Sequence, residues 1–222
     1  MFLCIFMIGI DEAGRGPVIG PMVIAGVQLD KQAEAKLKSL GVRDSKRIAP
    51  KKRETLALEI RKLAKKVEVV VVTAKQIDEL MCLMTLNQIE LNAMVKIMNE
   101  VGDSCIFLDL PSNGPGFMRE LRSKLKVADA NVVAEHKADD KYVVVGAASI
   151  IAKTTRDRLV REIEEKHGTL GSGYPADERT VNFLKKYLKE HGDLPDFVRH
   201  SWSTTEKLLD TKAQKGLFAF KK

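Results

Sequence analysis

Two adjacent acids and a glycine-rich turn near the start of the chain are the residues best suited to chemistry. Asp11 and Glu12 end an apolar run, and Gly-Arg-Gly follows at 14–16. Glycines let backbone approach a ligand closely, because they carry no side chain. Two neighbouring carboxylates repel each other unless a cation neutralises them. The stretch predicts a cation-binding site, and an acidic turn after a buried strand is the alternative.

Further acids stand close to the ends of two other predicted strands. Asp109 follows the apolar run 105–108, and Asp139 comes shortly after the run 131–135. Strand ends gather along one edge of an α/β sheet, so carboxylates distant in sequence can converge there. As alternatives, Asp109 starts a turn, and Asp139 or Asp140 caps a helix. The carboxylates expected to converge are those of Asp11, Glu12, Asp109 and Asp139.

The donor types indicate which metal such a site would hold. Carboxylate oxygens without Cys or His ligands favour Mg²⁺ or Mn²⁺ over zinc. The formal net charge of +7 suits a polyanionic partner such as nucleic acid. Two ions about 4 Å apart would activate a water and stabilise the leaving oxygen of an in-line phosphoryl displacement. His136 is an alternative general base, which metal-activated water makes unnecessary.

A few basic and aromatic residues are candidates for contact with such a substrate. Arg15 lies between two glycines, and Lys46 and Lys153 lie in other polar or helical stretches. Tyr174, in a glycine-rich loop, could stack on a sugar or a base. The alternatives are a solvated surface for the basic residues and a position at the core edge for Tyr174.

The elements that must position these residues alternate between strands and helices. Apolar, β-branched runs predict strands at 2–10, 20–29, 67–73, 105–108 and 131–135, with the third one buried. Helical spacing predicts helices at 31–40, 50–65, one or two within 74–101, 117–125, 141–167 and one ending near 191. This order predicts an α/β fold with a mixed sheet flanked by helices.

Length and composition exclude several classes of protein. With 222 residues, 30% of them charged and 5% aromatic, the chain fits a globular protein and neither a disordered chain nor a lectin-like aromatic surface. The apolar start is too short to span a bilayer and has no basic leader. Cys4, Cys82 and Cys105 are expected to be small core residues in a reducing compartment. We therefore expect a cytoplasmic protein, with a monomer as the default.

Several sequence blocks resemble the ribonuclease HII family, the type 2 ribonucleases H, and in particular its archaeal branch. The likeness runs from about residue 8 to residue 203. The blocks that carry it are GIDEAGRGP at 9–17 with GP at 20–21, DSK at 44–46, HKAD at 136–139, AASIIAK at 147–153 and GSGYP at 171–175.

The resemblance implies a fold and an activity. The fold would be an RNase H-like five-stranded mixed sheet, with a catalytic domain over 1–167 and a C-terminal helical extension and tail over 168–222. The activity would be endonucleolytic cleavage of RNA in RNA–DNA hybrids and at single ribonucleotides embedded in duplex DNA. Cleavage would leave a 3′-hydroxyl and a 5′-phosphate.

The resemblance also implies roles for individual residues. The metal-binding catalytic carboxylates would be Asp11, Glu12, Asp109 and Asp139, although Asp140 leaves the last assignment open by one position. The turn that contacts the ribose 2′-hydroxyl would be Gly14, Arg15 and Gly16. Tyr174 would pack on the adjacent deoxyribose, and Lys46 and Lys153 would lie near the substrate backbone.

The C-terminal tail is similar to peptides that dock on the replication sliding clamp. Its candidate contacts are Gln214, Leu217 and Phe220, and the alternative is a frayed basic terminus. Two rival functions stay open on sequence alone. One is a non-catalytic hybrid- or duplex-binding module, and the other is a different RNase H-like nuclease such as a junction resolvase.

Overall fold

A computed structural model describes residues 5–42, 48–101, 105–110, 115–126 and 131–219. The strands are β1 (Phe6–Ala13), β2 (Met22–Asp30), β3 (Lys66–Val72), β4 (Cys105–Asp109) and β5 (Val132–Glu135). The helices are α1 (Lys31–Ser39), α2 (Pro50–Leu63), α3 (Ala74–Met81), α4 (Leu86–Glu100), α5 (Pro115–Lys124), α6 (Ala138–Lys141), α7 (Val143–His167), α8 (Glu178–His191) and α9 (Ser203–Ala219).

The strands form one mixed sheet with β1 at its centre. Their order is β3-β2-β1-β4-β5. β1 runs antiparallel to β2 and parallel to β4, and β4 runs parallel to β5. β2 is buried along its whole length except at its last residue. The predicted five-stranded mixed sheet flanked by helices is therefore confirmed.

Two glycines let helices pack closely on opposite faces of the sheet. A Cβ added to Gly9 would lie 2.2 Å from the carbonyl carbon and oxygen of Val144, in α7. A Cβ added to Gly26 would lie 2.3 Å from Cγ2 of Ile97, in α4. Gly26 pairs with Ile10, the neighbour of Gly9, so the two glycines face opposite sides of the sheet. Thus α7 covers one face of the sheet, and α4 covers the other.

Helix formation within 74–101 follows from two local caps. The hydroxyl oxygens of Thr73 and Thr85 accept hydrogen bonds from the backbone N–H groups of Gln76 and Gln88, whose side chains bond back to the cap residues. Each capping box satisfies N–H groups that the first helical turn leaves without partners. The sequence left one or two helices open here, and the structure has two, α3 and α4.

The predicted helix over 141–167 is wrong at its start. Tyr142 is extended, with φ −112° and ψ 119°, and it separates α6 from α7. Its hydroxyl donates a hydrogen bond to Glu135 at 3.1 Å, and its ring lies 4.7 Å from that of Phe107. These contacts with the neighbouring strands hold Tyr142 out of the helix, which sequence periodicity does not reveal.

The prediction that the third strand is buried is also wrong for most of its length. Residues 66–70 of β3 are half-buried, Val71 is exposed and Val72 is buried. The reason is position, because β3 lies at the edge of the sheet. An edge strand has a neighbour on one side and stays open to solvent on the other.

The cysteine expectation fails in part. Cys82 is exposed and its thiol is free, whereas Cys105 is buried. Cys4 lies outside the described residues. None of the helices in the described ranges is long and apolar enough to cross a membrane.

The chain packs as two compact units. The first comprises 1–13, 23–71 and 85–157 and contains the sheet, and the second comprises 14–22, 72–84 and 158–222. The second unit has its own apolar core. That core consists of Val18, Ile19, Leu170, Leu184, Leu188, Leu194 and Val198. The division at 167/168 stays a prediction about domains, while packing separates the chain at other points.

Candidate active site

Asp11 and Asp109 occupy equivalent places on adjacent parallel strands. Ile10 of β1 pairs with Leu108 of β4, and each acid comes directly after its paired residue. Side chains alternate along a strand, so both acids lie on the same face of the sheet. Gly9 shares that face, two residues before Asp11. The two carboxylates therefore belong to the face that α7 covers.

Asp11 is a buried acid, with 5% of its surface exposed. Burial raises the pKa of its carboxyl well above the ordinary value, and the negative charge of Glu12 raises it further. A hydrogen bond with Ser149, another from the backbone N–H of Glu12 and the charge of Lys153 lower this pKa. The N–H of Glu12 donates to Oδ1 of Asp11 at 2.8 Å. The ionised form is thus costly in the protein alone and would gain from a cation.

Two of the groups that lower the pKa of Asp11 are side chains of α7, and they reach the acid because α7 packs closely on β1. Ser149 and Lys153 are four residues apart on α7, hence on one face of the helix. Nζ of Lys153 donates to Oγ of Ser149 at 2.8 Å. Because Gly9 has no side chain, the start of α7 rests on the strand that carries Asp11. The sequence placed Lys153 near the substrate, and the structure places its charge near Asp11.

Asp11 and Glu12 lie inside β1 rather than past its end, and Asp109 is the last residue of β4. Asp139 follows β5, as expected, but not directly. It lies inside α6, four residues after β5, and only 1% of its surface is exposed. The cap residue of α6 is Lys137, in the left-handed conformation at φ 56°, so neither Asp139 nor Asp140 caps this helix. Asp140 is exposed. Burial therefore favours Asp139 over Asp140 as the fourth acid.

A main-chain contact joins Asp109 to the start of this helix. Oδ1 of Asp109 accepts a hydrogen bond from the N–H of Ala138 at 3.2 Å. The residue opposite Asp109 on β5 is Glu135, the last residue of its strand. The end of β4 and the start of α6 are therefore held together, which brings Asp139 into the neighbourhood of Asp109.

The candidate ligands suit a hard divalent cation, although in the described residues they do not form a preassembled metal site. Within the described ranges, no three His, Cys, Asp or Glu side chains form a ready-made metal-binding group. Regular strand alternation turns Glu12 away from the face of Asp11, which accounts for part of this. All the candidate ligands offer carboxylate oxygens, the type that Mg²⁺ and Mn²⁺ prefer. The buried, crowded Asp11 gives a physical reason for a cation here.

The Gly-Arg-Gly turn belongs to the second unit, where two side chains hold it. Gly14 has φ 86°, a conformation that favours glycine. Arg199, fully buried, donates to the carbonyl oxygens of Gly14 at 2.5 Å and Arg15 at 2.8 Å. The indole N–H of Trp202 donates to the carbonyl of Gly16 at 3.1 Å. Every carbonyl of the turn therefore receives a hydrogen bond from the C-terminal segment.

Tyr174 lies beside this turn within the second unit. A Cβ on Gly16 would be 3.4 Å from Cε1 of the Tyr174 ring, an ordinary van der Waals distance. The tyrosine is 48% exposed, so part of its ring can contact a ligand. The turn and Tyr174 are thus neighbours, as the sugar-binding roles implied by the resemblance would require.

Asp177 holds the loop that carries Tyr174. It caps α8 by accepting from the N–H of Arg179, and it also accepts from the N–H of Ser172 at 2.7 Å. Hydrogen bonds from the Arg179 side chain and the Ser172 N–H lower the pKa of Asp177. The N–H of Asp177 in turn donates to the carbonyl of Tyr174 at 3.1 Å.

Some sequence candidates lie outside what the structure describes. Lys46 and Phe220 lie outside the described residues. Gln214 and Leu217 are on α9, which continues to Ala219, and their side chains are not described. His136 is exposed in a turn after β5.

Four functional candidates were not singled out from sequence. Ser149 is one residue within the AASIIAK block and has no distinguishing feature of its own. Asp177 has the residue type of an ordinary helix cap. Arg199 and Trp202 contact a turn more than 180 residues earlier in the chain, so no local spacing reveals them. The sequence offers only a weak signal for them, namely an arginine close to the single tryptophan of the chain.

The five-stranded mixed sheet and its flanking helices have the RNase H-like fold. Solved structures with this fold include ribonuclease H2 from Pyrococcus horikoshii OT3, with TM-score 0.86, 41% identity and coverage of 93% of this chain and 98% of that one. The PCNA:RNase HII complex from Archaeoglobus fulgidus gives TM-score 0.81 and 42% identity, covering 89% and 95%. Bst-RNase HIII in complex with Mn²⁺, 23% identical with TM-score 0.80, supports the fold alone and covers 94% and 70%.

Sequence comparison then gives the family. The ribonuclease HII family model matches residues 8–205. A ribonuclease HII of Methanococcus maripaludis strain C6 is 43% identical over 221 residues, 97% of this chain and 92% of that protein. One from Thermococcus onnurineus is 43% identical over 209 residues, 93% and 91%. The chain therefore belongs to the ribonuclease HII family, the type 2 ribonucleases H.

The burial of Asp11 predicts a stability effect that is separate from activity. A raised folded-state pKa means that stability falls as pH rises from about 3.9, the unfolded value, to the folded pKa, and stays lower above it. Asp11→Asn removes this penalty. In metal-free buffer at pH 7 we expect its melting temperature to rise, with each kcal/mol worth roughly 2–4 °C. Near pH 3 the two proteins should melt together.

Differential scanning calorimetry in buffer with a chelator measures this effect. The matched control is Asp140→Asn, at an exposed position, which should change stability by no more than about 0.5 kcal/mol. An Asp11→Asn protein that melts below the wild type at pH 7 would contradict the buried-charge interpretation.

Proposed function

We propose that this protein is an endonuclease that hydrolyses the RNA strand of RNA–DNA hybrids and cuts at single ribonucleotides embedded in duplex DNA. The products carry 5′-phosphate and 3′-hydroxyl ends. The observation that carries the proposal is the buried Asp11 beside Asp109 on one face of the sheet, in a chain of this family. The net charge of +7 suits a nucleic-acid substrate.

The carboxylates of Asp11, Glu12, Asp109 and Asp139 would hold Mg²⁺ or Mn²⁺. When bound, a pair of such ions supplies an activated water and neutralises the leaving oxygen. Asp11 lies on the central strand β1, directly beside β4, which carries Asp109. Its position makes it the candidate to bridge two ions.

Ser149 and Lys153 prepare Asp11 for this role. The hydrogen bond with Ser149 and the positive charge of Lys153 both lower the pKa of Asp11. They therefore favour the ionised carboxylate that a cation requires, against the opposite effects of burial and of Glu12. Lys153 could also contact a phosphate of the substrate, and Lys46 is proposed for a similar contact.

The second unit would recognise the sugar. Gly14, Arg15 and Gly16 would contact the ribose 2′-hydroxyl through the backbone, and this hydroxyl is what distinguishes RNA from DNA. Tyr174, half-exposed beside Gly16, would pack on the neighbouring deoxyribose. Together these contacts would select an RNA-to-DNA junction.

The tail would dock on the replication sliding clamp. The Archaeoglobus fulgidus relative was solved as a PCNA:RNase HII complex, which supports such a partner for this chain. The proposed contacts are Gln214, Leu217 and Phe220.

A digestion experiment tests the cleavage proposal. The substrate is an end-labelled DNA duplex with one ribonucleotide, and an all-DNA duplex of the same sequence is the control. The wild type should cut only the first, and only with Mg²⁺ or Mn²⁺. Asp11→Asn should lower the rate at least about 100-fold, because several kcal/mol of charge stabilisation are lost.

Paired variants sharpen this test. Asp139→Asn should lose activity as Asp11→Asn does, whereas Asp140→Asn should keep it, because Asp140 is exposed. Metal-independent binding without cutting would favour the non-catalytic module. Cutting of a branched all-DNA junction would favour a resolvase, and full activity of Asp11→Asn would refute the site.

Tyr174 should matter most where RNA meets DNA. We expect Tyr174→Ala to lower cleavage at a single embedded ribonucleotide by about 10-fold or more, since stacking of an aromatic is worth roughly 1–3 kcal/mol. Cleavage inside a long RNA–DNA hybrid should fall less. The measurement is kcat/KM on both substrates, with Tyr174→Phe as the control that keeps the ring. Equal losses on the two substrates would argue against junction sensing.

The proposed docking of the tail on the sliding clamp can be tested without changing the candidate active site. A protein that lacks residues 213–222 should lose binding to the sliding clamp by calorimetry while cutting a short duplex at the wild-type rate. The control is Lys221→Ala with Lys222→Ala, which removes tail charge and keeps Gln214, Leu217 and Phe220. The docking proposal should be abandoned if deletion leaves the affinity for the sliding clamp unchanged.

A further inference from the structure

Arg199 and Trp202 donate hydrogen bonds to all three carbonyls of the Gly-Arg-Gly turn. Arg199 donates to the carbonyls of Gly14 and Arg15, and its Nε donates to the carbonyl of Gly20 at 3.1 Å. Trp202 donates to the carbonyl of Gly16. One guanidinium therefore joins the turn to Gly20, which lies beyond the turn in the chain.

The two side chains also support each other. Cζ of Arg199 lies 4.6 Å from the centroid of the Trp202 ring, within the range of a cation–π contact. Arg199 is fully buried, and a buried charge is costly unless polar groups surround it. The carbonyl oxygens of the turn and the indole ring provide those partners. The turn and the Arg199–Trp202 pair thus stabilise each other.

Peptide geometry turns this contact into a constraint on the amide groups. In a trans peptide, the carbonyl of one residue and the N–H of the next point in opposite directions. The carbonyls of Gly14 and Arg15 are directed at Arg199. Consequently the N–H groups of Arg15 and Gly16 are both directed away from Arg199, so the turn presents two successive donors on its other side.

Two adjacent amide donors match the lone pairs of a hydroxyl oxygen. A ribose 2′-hydroxyl has two acceptor lone pairs, and deoxyribose offers nothing at this position. A site built to bond a substrate hydroxyl rejects the analogue that lacks it, because its polar groups then lose their partner. The direction of these amides therefore bears on whether the site distinguishes ribose from deoxyribose.

We propose that Arg199 and Trp202 are positioning residues for sugar discrimination: by holding the turn carbonyls, they aim the Arg15 and Gly16 amides at the ribose 2′-hydroxyl. The inference rests on the proposed function, since it explains how the recognition turn is set. Neither side chain needs to touch the substrate. Their contribution is to selectivity for the ribonucleotide, beyond general support of the fold.

A binding experiment separates selectivity from support of the fold. Fluorescence anisotropy in chelator-containing buffer gives the affinity for a DNA duplex with one ribonucleotide and for the all-DNA duplex of equal sequence. Their ratio is the ribose preference. Trp202→Phe keeps an aromatic ring, though a smaller one, and removes the N–H donor, and should lower the ribose preference about 2–10-fold. Arg199→Lys keeps the charge but loses the planar fork, and should lower it about 10-fold or more. Affinity for the all-DNA duplex should stay within about twofold of the wild type.

Leu188→Ala is the matched control for a loss of stability. Leu188 lies in the core of the same unit, and its side chain has no group that could bond the turn carbonyls, so its truncation should lower the melting temperature and leave the ribose preference unchanged. If Arg199→Lys and Trp202→Phe also keep the wild-type preference, or lose affinity for both duplexes in parallel, the inference is overturned.

The wild type separates this inference from the proposed function. A wild type that cuts at the ribonucleotide, with variants of unchanged preference, overturns the positioning role alone. A wild type that cuts but shows no ribose preference in binding also overturns it. A wild type that neither cuts nor prefers the ribonucleotide overturns both.

Discussion

The candidate site is arranged around one energetically costly feature, a carboxylate buried on the central strand of the sheet. Asp11 loses hydration there and lies close to the charge of Glu12, and both effects oppose ionisation. Part of this penalty on ionisation is offset, because α7 approaches β1 at Gly9 and brings Ser149 and Lys153 to the acid. A larger residue at position 9 would collide with the α7 backbone. Gly9 is therefore part of the site, although it carries no functional group.

The sequence reveals most of this sheet because its strands are continuous apolar runs. β1, β2 and β4 are recognisable from Ile, Val and Met over strand-like lengths, and their ends place Asp11 and Asp109 together. The position of Asp139 is harder to predict from sequence, because this residue lies in a short helix that follows β5. That helix exists because the ring and hydroxyl of Tyr142 contact two strands and interrupt the helical pattern. Periodicity reports which residues prefer a helix and does not report such tertiary contacts.

The recognition turn shows a different limit of sequence analysis. Glycine at 14 is readable as a residue that allows φ 86°, and the sequence therefore indicates a turn. It does not indicate which way the peptide planes face. That information comes from Arg199 and Trp202, which are distant in sequence and contact the turn within the folded second unit. Local sequence thus gives the permitted conformations, and long-range packing selects one.

This division of roles has a consequence for how selectivity is maintained. A hydroxyl read by main-chain amides leaves no recognition side chain that a substitution could remove, since every residue except proline carries an N–H. Selectivity must then depend on peptide orientation, which is controlled by whatever bonds the carbonyls. In this protein a buried guanidinium performs that task, and its planar fork spans two consecutive carbonyls that a single ammonium would not hold at fixed angles. The residues most responsible for telling ribose from deoxyribose would then be ones that never meet the sugar.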